Sequence, residues 1–194
     1  VLTRTNTAAS EIATYLIHHQ IKVVSPESLL ITQSPKVALL LAVFRYLDRK
    51  DSSLARAELI HFAFQLSGNP LPDTAFRFPA DASDFESYFT ELTSIQLRSD
   101  FLHIGKLTDL INQLTTIFVL EANDPFLQFF ADEVLLFTSR YGNRIAEFLT
   151  WWDRVKETKS IIYPESMDAV RVMTIHKSKG LQFPVVILAD AVEE

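Results

Sequence analysis

The groups best suited to chemistry lie in one short segment near the carboxyl end of the sequence. Residues 174–184 combine a hydroxyl, an imidazole, two ammonium groups and a flexible glycine, contributed by Thr174, His176, Lys177, Lys179 and Gly180. Apolar, β-branched stretches precede and follow the segment, which is the pattern of two buried strands joined by a polar turn. Proteins of the α/β class present phosphate-binding groups at such strand ends. The competing interpretation is an ordinary strand and turn with solvated lysines.

A second candidate lies at the amino end. Residues 1–5 and 21–24 are rich in β-branched side chains, and apolar residues recur between them at helical spacing. A βαβ unit with parallel strands and a right-handed crossover is therefore predicted. This unit would place Arg4 and Asn6 at the carboxyl edge of the first strand, beside the start of a helix. Alternatively, the strand merely ends there and Asn6 or Thr7 caps the helix.

The middle of the sequence is helical, with few strand signals. Helices are predicted from Pro35 to about residue 48, from 53 to 66, around 85–92 and 107–118, at 125–141, and from a cap at Asn143 to about 155. The helix at 125–141 is apolar on nearly all sides, which predicts the buried centre of a bundle. The expected fold class is α/β: a small parallel sheet formed by both chain ends, interrupted by a large all-helical insertion. The expected domains are 1–33, 34–165 and 166–194.

Composition restricts the possible functions. The content of 48% hydrophobic residues predicts a folded soluble domain. Because the net charge is −6, such a domain cannot coat nucleic acid with its whole surface, so any contact with DNA must be local. The sequence has no cysteine, which fits a reducing compartment and predicts a cytoplasmic location. No apolar run is long enough to span a membrane. Both ends look cut, as in a segment of a longer protein.

The string T-I-H-K-S-K-G-L-x-F-P-V-V, at residues 174–186, resembles motif V of UvrD/Rep-type superfamily 1 DNA helicases, and is most similar to the AddA and RecB helicase-nuclease subunits. Arg4-Thr5-Asn6 resembles the R-[ST]-N stretch that opens the second RecA-like domain, 2A, of these enzymes. A helical domain, 2B, interrupts 2A in this family. The resemblance therefore implies a RecA-like sheet in residues 1–33 and 166–194 and a 2B-like insertion in 34–165.

The same resemblance implies roles for individual residues. The predicted contacts with single-stranded DNA are Arg4, Asn6, Thr174 and His176. The predicted residues of the nucleotide cleft are Lys179, Gly180 and Gln182. Relatives commonly carry glutamate at the position of Gln182, so one acceptor for the ribose is kept but its charge is lost. ATP and Mg²⁺ are implied for the parent protein; the fragment alone is expected to bind neither and to hold no catalytic or metal-ligating residue.

The function implied is that of a fragment of an ATP-dependent DNA helicase and exodeoxyribonuclease in double-strand-break repair. The implied partners are single- and double-stranded DNA and a second helicase-nuclease subunit, with no role for a membrane. The alternative is a helical protein-interaction module that docks a partner subunit. An independent nucleotide hydrolase is disfavoured because the sequence has no phosphate loop.

Three other features have simple structural explanations. Gly105-Lys106 lacks the upstream glycine of a phosphate loop and predicts a turn before a helix. The acids Asp81, Asp84 and Glu86 suggest a helix start more than a metal site. The histidines at 18, 19, 61 and 103 lack the spacing of metal ligands.

Overall fold

The computed structural model describes residues 1–19, 21–24, 30–99, 102, 105–121, 123–159 and 169–189. The chain forms two compact units, one made of Val1–Gln33 with Glu157–Glu194 and the other of Ser34–Lys156. The first break between the two units lies after residue 33. The second break lies after residue 156, whereas the boundary expected after 165 falls outside the described residues. The assignment of the parts to 2A and 2B stays a prediction.

Within its described residues the first unit holds four short strands, which are β1 (Leu2–Thr3), β2 (Val23–Val24), β3 (Val170–Arg171) and β4 (Met173–Thr174). β1 pairs with β4 and β2 with β3, in parallel in both cases. The N–H of Val172 donates to the Val24 carbonyl (2.9 Å), while the N–H of Ile175 donates to the Thr3 carbonyl (2.9 Å). The segment from β3 to β4 therefore lies between β1 and β2.

Helix α1 (Asn6–His18) connects β1 to β2 and packs on β1, β2 and β4. Its inner face is made of small residues, since Ala9 and Ala13 are fully buried, and this allows the helix to approach the strands closely. α1 thus joins two strands that each pair in parallel with a strand from the carboxyl end of the chain, and a right-handed βαβ crossover within one sheet stays a prediction.

The strands are shorter than the sequence predicted. The stretch 185–188 makes one parallel bridge, between Leu188 and Leu2, supported by hydrogen bonds from Leu2 N–H to the Ile187 carbonyl (2.8 Å) and from Ala189 N–H to the Leu2 carbonyl (2.9 Å). β1 is only two residues long, so it offers this stretch little further pairing. Residues 175–180 form turns, in agreement with the polar turn predicted there. The described chain is mostly helical with small parallel sheets.

The second unit contains six helices within the described residues, namely α2 (Pro35–Asp48), α3 (Ser53–Ser67), α4 (Ala82–Thr93), α5 (Leu107–Ile117), α6 (Pro125–Tyr141) and α7 (Ile145–Val155). All six were predicted from apolar spacing and from their end signals. None of the helices in the described part of the chain is long and apolar enough to cross a bilayer.

The helix ends follow the capping rules at most positions. The Ser34 hydroxyl accepts the Val37 N–H (3.4 Å) at the start of α2, and Gly68 ends α3 with φ of 70°. The predicted cap at Asn143 is wrong, because α7 begins one residue later with Arg144 at the N-cap and no side-chain capping bond. Gly142 closes α6 with an extended ψ of −169°, which carries the chain past Asn143 before the helix starts.

The centre of the bundle is α2, which packs against α3, α6 and α7. Eight of its residues are buried, including the whole run 39–44. The prediction that α6 is the buried centre is wrong: α6 buries one side, while Leu135 and Leu136 are 57% and 40% exposed on the other. Apolar composition alone does not distinguish a helix surrounded by others from a helix with a bare apolar face.

Candidate nucleic-acid interface

The pairing of β1 with β4 brings the two candidate segments to one end of the strands. Thr3 lies opposite Thr174, and the two strands run in parallel. Arg4 follows the first of these residues, and His176 lies two positions beyond the second, so both leave the carboxyl end of the sheet together. Both side chains are exposed. We call residues 4–7 and 175–180 the strand-end rim.

Helix α1 starts at this rim and is capped by Thr5. The Ala8 N–H donates to the Thr5 hydroxyl oxygen (3.1 Å), and the Ala9 N–H donates to the Thr5 carbonyl (3.1 Å). The alternative in which Asn6 or Thr7 caps the helix is therefore wrong. Asn6 lies in the first turn of α1 with an exposed side chain, where the partial positive charge of the helix start favours an anion.

The turn after β4 is held by its own backbone. The carbonyl of Thr174 accepts the N–H groups of Lys177 (3.0 Å) and Ser178 (3.2 Å), and the Ser178 hydroxyl donates to the Ile175 carbonyl (2.9 Å). Gly180 follows with φ of 84°, a left-handed conformation that other residues adopt only with strain. These contacts fix a turn on which His176 and the two lysines are exposed.

Thr174 does not lie on the rim surface. Its side chain was predicted to contact DNA, but the residue is only 6% exposed, as the last paired position of β4 beneath α1. A hydroxyl at this depth cannot reach a strand of nucleic acid without movement of its neighbours. In the structure the contribution of Thr174 is its carbonyl, which organises the turn.

The rim is locally basic in a chain whose net charge is −6. Residues 3–7 and 174–184 contain no acid, and their cations are Arg4, Lys177 and Lys179. Such a concentration of positive charge on one edge attracts a polyanion without requiring a basic surface elsewhere. The turn exposes Lys177 between His176 and Lys179, although no DNA contact was assigned to Lys177 from the sequence.

The predicted nucleotide-cleft residues occupy two environments. Lys179 and Gly180 are on the exposed turn. Gln182 lines a cavity of about 710 Å³, together with β1, β3, Met173 and the stretch 183–187. All three residues are exposed, and of the three only Gln182 lines this cavity.

The other groups that the sequence suggested have structural partners. Asp81 is the N-cap of α4, and Glu86 accepts hydrogen bonds from the Tyr46 hydroxyl (3.0 Å) and the Ser99 N–H (3.2 Å). Among the described residues no cluster of histidine and carboxylate groups could hold a metal ion. Lys106 is the N-cap of α5, so Gly105-Lys106 is a turn before a helix, as predicted. His103 lies outside the described residues.

Comparison with known families adds an independent finding. Residues 103–194 match the family model of the UvrD-like helicase C-terminal domain. The match includes α5, α6, α7 and the whole segment 174–184.

Three curated relatives are named as subunits of an ATP-dependent helicase/nuclease. The protein from Anoxybacillus flavithermus is 50% identical over 52 residues, which are 24% of this chain and 4% of the relative. That from Carboxydothermus hydrogenoformans is 36% identical over 72 residues, 35% of this chain and 6% of the relative. That from Latilactobacillus sakei is 48% identical over 48 residues, 23% of this chain and 5% of the relative. The matched stretches span only 4–6% of these relatives' length.

Proposed function

We propose, from the premise that residues 103–194 belong to the UvrD-like helicase C-terminal domain family, that this chain is the DNA-binding part of a larger enzyme. That enzyme is an ATP-dependent DNA helicase and exodeoxyribonuclease that processes double-strand breaks. Within the strand-end rim, Arg4, Asn6 and His176 hold the backbone of a single strand. Lys179 and Gly180, at the end of the same rim, form one side of an ATP cleft together with Gln182. The observation that supports the proposal is the parallel register of Thr3 with Thr174, after which Arg4 and His176 follow at the same end of the two strands.

The chemistry of the rim suits a motor that moves along any sequence. Arg4 supplies a charged, bidentate donor for a phosphate, and His176 and Asn6 supply hydrogen bonds to phosphate or sugar. None of these groups needs to read a base. Because the start of α1 lies at the same edge, its free N–H groups add to the attraction for an anion.

The nucleotide side of the proposal concerns Lys179, Gly180 and Gln182. Lys179 would stabilise phosphate charge, and the left-handed Gly180 lets the backbone approach closely. Gln182 would accept a hydrogen bond from the ribose without the strength that a carboxylate gives. ATP and Mg²⁺ belong to the parent protein, and a phosphate loop in another domain would hold them. The chain alone is therefore expected to show no ATPase or unwinding activity; turnover well above the blank would contradict this.

The test is substitution of the rim in the parent protein. Arg4→Ala and His176→Ala should each lower DNA-stimulated ATPase activity and weaken binding of single-stranded DNA about tenfold, because each removes a contact with the strand. Lys22→Ala is the matched control: this exposed lysine precedes β2, at the opposite end of the parallel strands. Equal activity in the rim variants and the control would contradict the proposal.

A second candidate function is docking of a partner subunit by the helical unit. It is favoured by the apolar side chains that α6 leaves exposed, which are Leu135, Leu136 and Tyr141. The two functions are compatible in one parent protein, since they use different units. The rim variants separate them: if DNA-stimulated ATPase activity is unchanged by both, docking is the better account of this chain.

A further inference from the structure

A groove lies between the end of α6 and the outer side of α7. We call it the α6–α7 groove; its volume is about 490 Å³ and its lining residues are Phe137, Tyr141, Ala146, Glu147, Thr150, Trp151 and Arg154. All of them belong to the helical unit, so the groove shares no residue with the strand-end rim. Its size is that of a site for a few side chains, not for a whole domain surface.

The groove has an aromatic floor. The ring of Phe137 lies 5.3 Å from the ring of Tyr141 and 5.3 Å from that of Trp151, centroid to centroid. Phe137 is buried, whereas the large aromatic side chain of Tyr141 is 58% exposed. Exposed aromatic rings that pack on a buried ring, as Tyr141 does on Phe137, are the residues that most often anchor a bound partner.

The edge of the groove is basic. Arg144 pairs with Glu147 at 3.0 Å, so the one acid of the lining is already neutralised. Arg154 lines the groove and is exposed. Arg140 does not line the groove, but it is exposed in the last turn of α6, three residues after Phe137. Among the ion pairs of the described residues, none includes Arg140 or Arg154. In a chain with a net charge of −6, two such arginines beside an aromatic floor form a distinct local surface.

We propose that the α6–α7 groove binds an acidic peptide segment that carries one aromatic or large aliphatic side chain. The apolar side chain would pack on Tyr141 and Trp151, and flanking carboxylates would pair with Arg154 and Arg140. A basic segment would meet these two arginines with like charge, and a purely apolar one would leave them unpaired. The proposal does not depend on binding of DNA by the other unit.

The experiment is selection of a phage-displayed random peptide library on the intact 194-residue chain, followed by fluorescence anisotropy with the enriched peptides. Enriched sequences should combine aspartate or glutamate with an aromatic or large aliphatic residue. Tyr141→Ala and Arg154→Glu should each weaken their binding about tenfold, the loss expected for a central anchor or a charge reversal. Tyr141→Phe keeps the ring and should bind as the original chain does.

Two controls guard against a general effect on folding or charge. Leu54→Ala removes an exposed apolar side chain from α3, and Arg49→Glu reverses an exposed charge at the end of α2; both should leave peptide binding unchanged. Circular dichroism shows whether each variant is folded. Enrichment of basic or uncharged peptides, or equal binding to Arg154→Glu and Arg49→Glu, would overturn the proposal. So would competition for the groove by a second copy of the chain, seen as concentration-dependent dimerisation that Tyr141→Ala abolishes.

Discussion

Val119 adopts a backbone conformation that its side chain disfavours. It follows α5 with φ of 51°. The Val119 N–H donates to the Thr116 carbonyl (3.2 Å), and the Leu120 N–H donates to the Thr115 carbonyl (2.8 Å). These two bonds form a Schellman motif, in which the left-handed position is usually glycine. A β-branched residue at this position is strained, and Val119 gains little from packing because it is 88% exposed.

Replacement of Val119 by glycine should therefore stabilise the chain. We expect Val119→Gly to raise the free energy of unfolding by about 1 kcal/mol, since relief of the strain outweighs the added entropy of the unfolded state. Val119→Ala, which keeps a Cβ, should gain less. Urea denaturation of the 194-residue chain measures both values. A lower free energy of unfolding for Val119→Gly would contradict this argument, because it would show that the exposed Val119 side chain stabilises the folded chain.

At the scale of elements, one buried arginine joins α3 to the loop before α4. Arg56 is 2% exposed; its Nε donates to the Lys50 carbonyl (2.8 Å), and its Nη1 donates to the carbonyls of Pro79 (2.8 Å) and Ala80 (2.7 Å). The guanidinium also lies 5.2 Å from the ring centroid of Phe85. Burial of this charge is tolerated because several carbonyl oxygens surround it.

Loss of Arg56 should be costly for stability. Arg56→Met leaves three carbonyls without their donor, and we expect the free energy of unfolding to fall by about 2–4 kcal/mol. Arg56→Lys keeps the charge but has one ammonium in place of the planar fork, so its stability should fall between those of the original chain and the methionine variant. Thermal unfolding monitored by circular dichroism gives the order. A lysine variant as stable as the original would contradict the geometric argument.

The start of α4 predicts a dependence of stability on pH. Hydrogen bonds from the Ser83 hydroxyl (2.5 Å) and N–H (2.8 Å) hold the pKa of the Asp81 carboxyl below its usual value of 3.8. Because the folded pKa is the lower one, the stabilisation is present above the unfolded pKa and is lost as the pH falls through the folded pKa. Asp81→Asn keeps the capping oxygen but does not titrate.

The stability difference between the original chain and Asp81→Asn should therefore shrink as the pH is lowered from about 6 to about 2.5. Urea denaturation of both proteins at each pH measures the difference. A stability difference that is constant over this pH range would mean that the hydrogen bonds from Ser83 do not stabilise the Asp81 carboxylate in solution.

At the scale of the whole molecule, the helical unit has a core of its own. α2 is buried against α3, α6 and α7, and the rings of Phe44, Phe130, Phe148 and Trp152 contact one another within the unit. The unit is also one continuous stretch of chain, Ser34–Lys156. A domain with its own core and a continuous sequence is expected to fold alone.

We therefore predict that a protein of residues 34–156 shows helical circular dichroism and one cooperative thermal transition. The four-ring cluster gives a sensitive control, because Phe148→Ala in this protein should lower the free energy of unfolding by about 3–5 kcal/mol. A broad, non-cooperative transition of residues 34–156 would show that the helical unit needs the rest of the chain.

The local features of this protein follow from its sequence. Apolar spacing and end signals such as Ser34-Pro35 and Gly68 located the six helices of the second unit, because capping and helix periodicity act over a few neighbouring residues. The string at 174–184 indicated the helicase family for the same reason: its chemistry is contained in adjacent positions, and the family match includes them.

Only the tertiary structure decided which side chains are available. It showed that Thr174 is buried while His176 is exposed, that α2 and not α6 is the centre of the bundle, and that Tyr141 and Arg154 share a groove. Exposure depends on which distant segments cover a residue, and no local pattern contains that information. The sequence by itself determined the helices and the kind of chemistry; the packing of segments more than a hundred residues apart determined where that chemistry meets solvent.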